Sequence, residues 1–504
     1  MNIVLISPYS DITSLGIRHL ASVLKRDGFV VRLLFIPESR PEFHDLGDSW
    51  GDDEAAVIHE TFTMVRESDV IGLSLMSNYL MRSVRLTQGL KKQLSPRTLF
   101  VWGGIHPTIR PQESLHYADG VCRGEGELAF AELASLMADD KDYLSTANFW
   151  FNHGKQLLRN PVRPLLKDLN QLPFPDYSLD DDYIFSYAEG TYRRMDETLL
   201  AQHLAQGYIS GIRHKIAYQT IATRGCPHNC TYCCNNSLRE LYTSKNYLRR
   251  RSIDHIITEL VTMKEHFSFI EEIGFSDDSF FAAPLKEIED FARLYQEKIN
   301  KPFFCLGSPN TITADKMKAL TQAGLYGLQM GIQTGSTRTQ QLYKRTVKNE
   351  KILSAAKILN SFKGSLIPPT YDIIIDNPYE SVTDYQETFA LLLQLPRPHR
   401  IQIFSLVLFP ETELHEKAVH DGLIMEHDEL APIKEYHHRR GTFINLVFAL
   451  FGHGYPRPLL VFLTYRPILF LFCLPAFDYF FEKCYLLYKK LKKRIRNQDT
   501  VIQS

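Results

Sequence analysis

The sequence predicts an α/β protein in three parts: an N-terminal doubly wound, Rossmann-like domain, a partial (β/α)6 barrel and a C-terminal, mainly helical segment. Three observations carry this. Apolar strand-like runs alternate with helical patterns through both halves of the chain. The cysteine-rich stretch TRGCPHNCTYCCN (Thr223–Asn235) directly follows one such run. The chain then turns apolar and aromatic beyond Thr442 and ends near the basic stretch KKLKKRIR (Lys489–Arg496). The boundaries read as a first domain over residues 1–145, a linker over 146–213, the barrel over 214–420 and the C-terminal segment over 421–504.

At 504 residues the chain holds several domains. Its 57 Lys and Arg nearly cancel its 58 Asp and Glu, so no global field favours nucleic acid as a partner. The opening MNIVLISPYSDITS has no basic segment before its apolar run and reads as a first strand rather than a signal peptide. A cytoplasmic, reducing compartment is therefore expected, where grouped cysteines point to metal or catalysis rather than disulfides.

In the first domain, strands are expected at Asn2–Ser7, Phe29–Ile36, Asp69–Leu75 and Thr98–Gly104, with a helical pattern through Leu20 and Leu24. Parallel sheets bind ligands at the carboxyl ends of their strands. Those ends are Ser7, Pro8, Tyr9 and Ser10, then Ser74 to Asn78, then Gly103, Gly104, Ile105, His106 and Pro107. Small and polar residues there let a bulky ligand approach the backbone. An ordinary doubly wound domain with turn glycines explains the same pattern. No G-x-G-x-x-G follows the first strand, which disfavours a nicotinamide or flavin.

The linker carries Pro173, Pro175 and Asp176 within LKDLNQLPFPDYSLDDD (Leu166–Asp182), a density that marks an extended connection. Residues 183–213 are mixed and mostly helical in pattern, with no function assigned.

A strand over His214–Thr223 leads into the cysteines. Further strands are expected at Glu271–Phe281, Phe303–Thr313, Gly327–Gln333, Pro368–Asp376 and Arg400–Pro410, with helices such as Ser252–Phe267 and Glu350–Phe362 between them. In such a barrel active residues sit at the carboxyl ends of strands. Cys226, Cys230 and Cys233 stand in the order C-x3-C-x2-C. A structural zinc needs four closed ligands. A 4Fe–4S cluster is normally held by four thiolates, and three leave one iron open. The zinc reading stays open with Cys234 as fourth ligand, although adjacent cysteines tend to point apart. Cys122, Cys305, Cys473 and Cys484 are scattered singly, as small buried residues often are.

The cysteine spacing, with Tyr232 before the last cysteine, closely resembles the radical S-adenosylmethionine superfamily. That resemblance implies one 4Fe–4S cluster on Cys226, Cys230 and Cys233, whose open iron chelates S-adenosylmethionine. It implies reductive cleavage to a 5′-deoxyadenosyl radical, with an external electron donor of the flavodoxin or ferredoxin type. It brings Tyr232, Ser276, Asp277, Asp278, Gly331, Gln333 and Ser336 to the S-adenosylmethionine site, although Asp277 and Asp278 also read as strand-end caps. Two departures stand out: Gln333 where glutamate is common, and IDNPYES (Ile375–Ser381) where G-x-P-G-E-T is common.

The segments GGIHPT and RGEGE within Gly103–Leu133 resemble the cobalamin-binding domain that precedes some radical S-adenosylmethionine enzymes, and DLNQLPFPDY resembles their linker. The resemblance implies cobalamin, with Ser7, Pro8, Tyr9, Ser74, Asn78, Gly103, Gly104, His106 and Pro107 as candidate contacts. No D-x-H-x-x-G occurs, so no histidine is expected to ligate cobalt, and His106 reads as a strand-end or structural residue. The N-terminal domain lacks a cysteine trio, which argues against the tRNA-methylthiolating branch.

TFINLVFALFGHGYP (Thr442–Pro456) and PILFLFCLPAF (Pro467–Phe477) are apolar but short of the roughly 20 residues that span a bilayer. Beside a basic amphipathic tail, they fit either a segment lying on an anionic membrane surface or a helical cap on the barrel. The first reading predicts a protein peripheral to the inner face of the membrane with a lipid-like small-molecule substrate. The expected reaction is methylation of an unactivated carbon. Radical ring closure or carbon–carbon coupling without methyl transfer is a second reading, and a cobalamin-binding sensor or scaffold a third.

Overall fold

The computed structural model describes the whole chain except residues 10, 38–49, 51–52, 155, 243–246, 279, 346, 425–440, 475, 478, 484–486 and 488–504. The basic tail Lys489–Arg496, Cys484 and Ser10 therefore lie outside the described residues. Two compact units result: residues 1–280, 289–304 and 408–434 form the first, and residues 281–288, 305–407 and 435–504 the second.

The first strands are β1 (Asn2–Ser7), β2 (Val30–Phe35), β3 (Val70–Ser74), β4 (Leu99–Gly103) and β5 (Gly120–Cys122). Then come β6 (Phe149–His153), β7 (Gln156–Arg159), β8 (Asp182–Ser186) and β9 (Thr191–Arg194). All nine join one sheet in the order β7-β6-β5-β4-β3-β1-β2-β8-β9. The core from β5 to β8 is parallel, and antiparallel pairing begins at β6 and β9. β1 is buried along nearly its whole length, as a parallel strand covered on both faces must be. One face packs Ile71, Leu73, Phe100 and Trp102 against Val57, Val65, Leu86 and Leu90 of two helices, Glu54–Val65 and Leu80–Lys91. The strand order reverses at β1, between β3 and β2, which opens the crevice where such sheets bind ligands.

The linker expected over 146–213 adds four strands to this sheet: β6 and β7 precede the proline-rich stretch Leu166–Asp182, expected to be extended, while β8 and β9 follow at its end, where residues 183–213 are expected to be mostly helical. The extended part is confined to the prolines, since residues 160–168 and 172–179 carry no regular element. β8 is a five-residue run beginning at a buried Asp182. No apolar alternation marks it; its place follows from pairing with β2 and from the arginine that meets Asp182.

The remaining strands are β10 (Ala217–Thr220), β11 (Thr223–Arg224), β12 (Arg249–Arg250), β13 (Glu272–Phe275), β14 (Phe303–Gly307), β15 (Leu325–Gln333), β16 (Thr370–Ile375) and β17 (Arg400–Ser405). Six of them form a sheet in the order β10-β13-β14-β15-β16-β17, with β10–β13, β15–β16 and β16–β17 parallel. Helices fill the intervals, including Ile253–His266, whose Ser252 caps it through the His255 N–H. β11 and β12 make a separate antiparallel ribbon.

In the second unit, three short helices follow one another near the C-terminus: Phe443–Gly452, Arg457–Leu463 and Arg466–Phe472. Pro458 and Pro467 open the latter two, where a missing N–H costs nothing. Among the described residues no helix is long and apolar enough to cross a membrane. Val447, Phe448, Phe451, Leu460 and Leu469 are buried, while Phe462, Tyr465, Leu471 and Phe480 are exposed. Phe448 packs on Phe389 with ring centroids 4.5 Å apart. The segment thus has both a packed face and an open one.

Candidate active site

The cysteine loop begins where β11 ends. Gly225 has φ +90°, and a Cβ there would stand 2.5 Å from the Tyr247 carbonyl oxygen, so only glycine fits. Cys226, Cys230 and Cys233 follow, and Cys234 opens the helix Cys234–Tyr242. The loop is tied at several points. Cys233 N–H donates to the Cys230 carbonyl at 3.1 Å, and Leu414 N–H to that of Thr231 at 2.9 Å. Arg239 donates to the carbonyls of Cys226 and His228.

Burial pushes the Cys226 thiol up to about 11, with Asp278, Cys233 and Cys230 adding to the rise. Cys233 is instead lowered to about 7 because the neighbouring Cys234 thiol donates to it, which raises Cys234. Among the described residues no three His, Cys, Asp or Glu side chains stand gathered around a metal position. The donor set nevertheless suits an iron–sulfur cluster: three soft thiols on one short loop, with charge interactions linking Cys226 to the other two.

β13 delivers the next residues. Asp277 is buried and accepts from the backbone N–H groups of Ala222 and Thr223 and from the Thr223 hydroxyl at 2.7 Å. It brackets the chain just before the cysteine loop, as a strand-end cap would. Asp278 accepts from Asn235 Nδ2 at 3.0 Å, and the Ser276 hydroxyl donates to Gln219 at 3.0 Å. Tyr232 is half-buried on the loop.

A cavity of about 500 Å³ lies in the first unit. Its walls include Gly72, Ser74, Gly103, Gly104 and Gly126 from the N-terminal domain and Gly225, Cys234, Asn235, Ser276 and Asp278 from around the cysteine loop. At Gly104 φ is +99° and a Cβ would stand 2.7 Å from the Leu75 carbonyl oxygen. Of the residues expected at the ends of β1, β3 and β4, Ser74, Gly103, Gly104 and Ile105 line this cavity. Ser7, Pro8, Tyr9, Asn78, His106 and Pro107 are not among its walls. Ser7 pairs with the Ser14 hydroxyl at 2.9 Å, and Tyr9 reaches Ser74 at 3.3 Å. Asn78 sits in the short turn Ser77–Tyr79, and Pro107 is buried with His106 in the helix Ile105–Ile109. His106 Nδ1 lies 3.1 Å from the Ser77 hydroxyl, and burial lowers the imidazole to about 4. Burial thus favours the neutral ring.

In the second unit, Gly331 accepts through its carbonyl from Arg345 at 3.1 Å, and Gln333 takes φ +73° where the β15–β16 register shifts. Ser336 is buried, caps the helix Thr337–Leu342 and donates to Asp384 at 2.6 Å. The departing IDNPYES segment keeps Glu380, which accepts from Thr334 at 3.3 Å and is pushed up to about 7 by burial.

Four charged residues escaped sequence reasoning: Glu125, Glu127, Arg224 and Arg249 all line the cavity. The RGEGE segment was the available signal, two carboxylates two residues apart in a glycine turn.

Residues 1–134 match the family model of the B12 binding domain, and residues 220–392 that of the radical SAM superfamily. PH0819 of Pyrococcus horikoshii, named as an uncharacterized methyltransferase, is 23% identical over 363 residues, 71% of this chain and 71% of that protein. The cobalamin-dependent radical SAM methyltransferase TokK of Streptomyces tokunonensis is 23% identical over 405 residues, 77% of this chain but 53% of TokK. The chain thus spans about half of TokK's length. The structure of the radical S-adenosylmethionine methyltransferase TsrM from Kitasatospora setae, with cobalamin and a [4Fe–4S] cluster bound, shares the fold. Its TM-score is 0.62 at 14% identity, covering 83% of this chain and 78% of TsrM. With both domains in this order, the chain belongs to the family of radical S-adenosylmethionine enzymes that carry an N-terminal B12-binding domain.

Proposed function

We propose that the protein methylates an unactivated carbon of a hydrophobic, lipid-like small molecule. The observation that carries this reading is a cavity lined both by the strand-end glycines of the N-terminal sheet and by the flank of the cysteine loop. Relatives named as methyltransferases support it. When bound, the cluster on Cys226, Cys230 and Cys233 supplies the electron that cleaves S-adenosylmethionine, and cobalamin carries the methyl group. S-adenosylmethionine serves as both radical source and methyl donor, with the electron drawn from an external flavodoxin- or ferredoxin-type protein.

The chain's own residues have defined parts in this reading. Gly72, Gly103 and Gly104 leave room for a broad macrocycle against the backbone. Leu5, Val101, Trp102 and Phe130 keep that side of the cavity apolar and exclude water. Asp277 holds the start of the cysteine loop, while Ser276 and Asp278 offer polar atoms for an amino group at its edge.

The open face of the C-terminal helices supports a lipid-like substrate taken at an anionic membrane surface. Phe462, Tyr465 and Tyr479 are each more than 60% exposed, an arrangement suited to an interface.

The test is anaerobic purification followed by incubation with candidate lipids and S-adenosylmethionine labelled in its methyl group. Cobalamin absorbance with about four irons per chain is expected, and a labelled product together with 5′-deoxyadenosine. Formation of 5′-deoxyadenosine with an unlabelled product would overturn methyl transfer.

A further inference from the structure

Arg224 and Arg249 stand directly opposite each other in the β11–β12 ribbon. Like charges at opposed positions repel. Two carboxylates from the turn after β5 cancel that repulsion. Glu125 takes both arms of Arg249, with Oε2 3.0 Å from Nη1. Its Oε1 also lies 3.5 Å from Arg224 Nη1. Glu127 takes Arg224 Nη2. The quartet is neutral and largely buried, with side-chain exposures of 6% for Arg249, 10% for Glu127, 16% for Arg224 and 25% for Glu125. Removing one member leaves a charge without its partner, which is costly in a dry site.

The same turn reaches the far end of the loop. Glu125 N–H donates to the Tyr242 hydroxyl at 2.6 Å, and Tyr242 ends the helix that Cys234 begins. A Cβ on Gly124 would stand 2.0 Å from that hydroxyl oxygen, so the approach requires glycine. Arg224 lies two residues before Cys226, with the tightly fitted Gly225 between them. The Gly124–Glu127 turn therefore grips the segment that carries all four loop cysteines at both ends. Gly124, Glu125, Gly126 and Glu127 all line the cavity as well.

We propose that the Gly124–Glu127 turn couples occupancy of the cavity to the position of the cysteine loop, with Glu125 and Glu127 as positioning residues acting through Arg224 and Arg249. A cofactor in the cavity meets the turn on one side and the arginines on the other. It fixes the quartet, and the quartet fixes where the thiols stand. The inference rests on the assignment of this cavity to cobalamin and of Cys226, Cys230 and Cys233 to the cluster.

The test is hydrogen exchange over residues 223–242 in the cluster-loaded full chain, with and without hydroxocobalamin at a concentration that saturates each protein. In the wild type hydroxocobalamin should slow exchange there at least about fivefold, the lower end of ordinary coupling between sites. In Glu125→Gln, which keeps the shape and loses the charge, the slowing should fall below about twofold, a near loss of that coupling. The swap Glu125→Arg with Arg249→Glu keeps the quartet neutral and should restore most of the effect. Should Glu125→Gln not fold, Glu127→Gln is read in the same way. Wild-type slowing in Glu125→Gln, or in Glu127→Gln where that variant is used, would overturn the proposal while leaving the functional reading intact. A wild type that binds both cofactors without any slowing would do the same. A wild type that takes up no cobalamin would overturn both.

Discussion

Arg18 Nη1 lies 3.2 Å from Asp182 Oδ2, and neither side chain reaches solvent. The guanidinium also donates to the carbonyls of Ile12 and Asp176 and lies 4.0 Å from the Tyr177 ring centroid. Burial nonetheless pushes Asp182 up to about 6. Arg18→Met should therefore destabilise the chain by about 3–5 kcal/mol, since a buried carboxylate loses its partner. The double change Arg18→Met with Asp182→Leu should recover much of that loss. Thermal unfolding of the purified variants checks both; an unchanged melting temperature for the single variant would contradict the pairing.

Glu380 gives the stability a pH dependence. Its folded value, raised by burial to about 7, lies above the ordinary 4.5. Its contribution is therefore fully present below about pH 4.5 and lost as pH rises through 7. Glu380→Gln removes this loss, worth up to about 3 kcal/mol. The difference in melting temperature, variant minus wild type, should grow from pH 5 to pH 8; a flat difference would count against the assignment.

The four clustered cysteines should separate by iron content. Cys226→Ala, Cys230→Ala and Cys233→Ala should each lose the cluster and with it the cleavage of S-adenosylmethionine. Cys234→Ala should keep wild-type iron. Iron analysis after anaerobic reconstitution decides; a Cys234→Ala protein without iron would restore the four-ligand reading.

Gly225→Ala should behave as a loop variant rather than a core variant. The left-handed backbone alone costs about 1–2 kcal/mol, and the methyl meets the Tyr247 carbonyl. Iron loading should fall while the helical signal in circular dichroism stays near wild type. Full iron loading would show that the loop accommodates a side chain there.

The exposed C-terminal face makes a separate prediction. Phe462→Ser with Tyr465→Ser should reduce co-sedimentation with vesicles rich in anionic lipid. Exposed substitutions of this kind usually change stability by within about 0.5 kcal/mol, so the melting temperature should hold. Equal sedimentation of variant and wild type would refute the membrane reading.

The parts of this fold that are legible in the sequence are those with local signals. The apolar run Asn2–Ser7 and the strand-end glycines Gly103 and Gly104 announce a parallel sheet and its binding edge. The cysteine spacing marks its own loop. What escapes the sequence is set by distant partners. β5 has three residues, and β8 is placed by pairing with β2 and by Arg18, which precedes it by 164 positions. The Glu125–Arg249 contact, 124 positions apart, leaves no periodicity to read. The partners of Asp277 and His106 are also distant: Asp277 accepts from the backbone of Ala222 and Thr223, and His106 meets the Ser77 hydroxyl.

The first compact unit runs to residue 280, well past residue 220 where the radical SAM match begins. The stretch of chain that is shared as a module between proteins and the stretch that folds together as one body are thus different segments. A chimera spliced in the linker would part Glu125 and Glu127 from the arginines they neutralise. Exchange of N-terminal domains between members of this family would have to carry the ribbon and its charges along. In this architecture the natural seam for engineering lies beyond the cysteines, not before them.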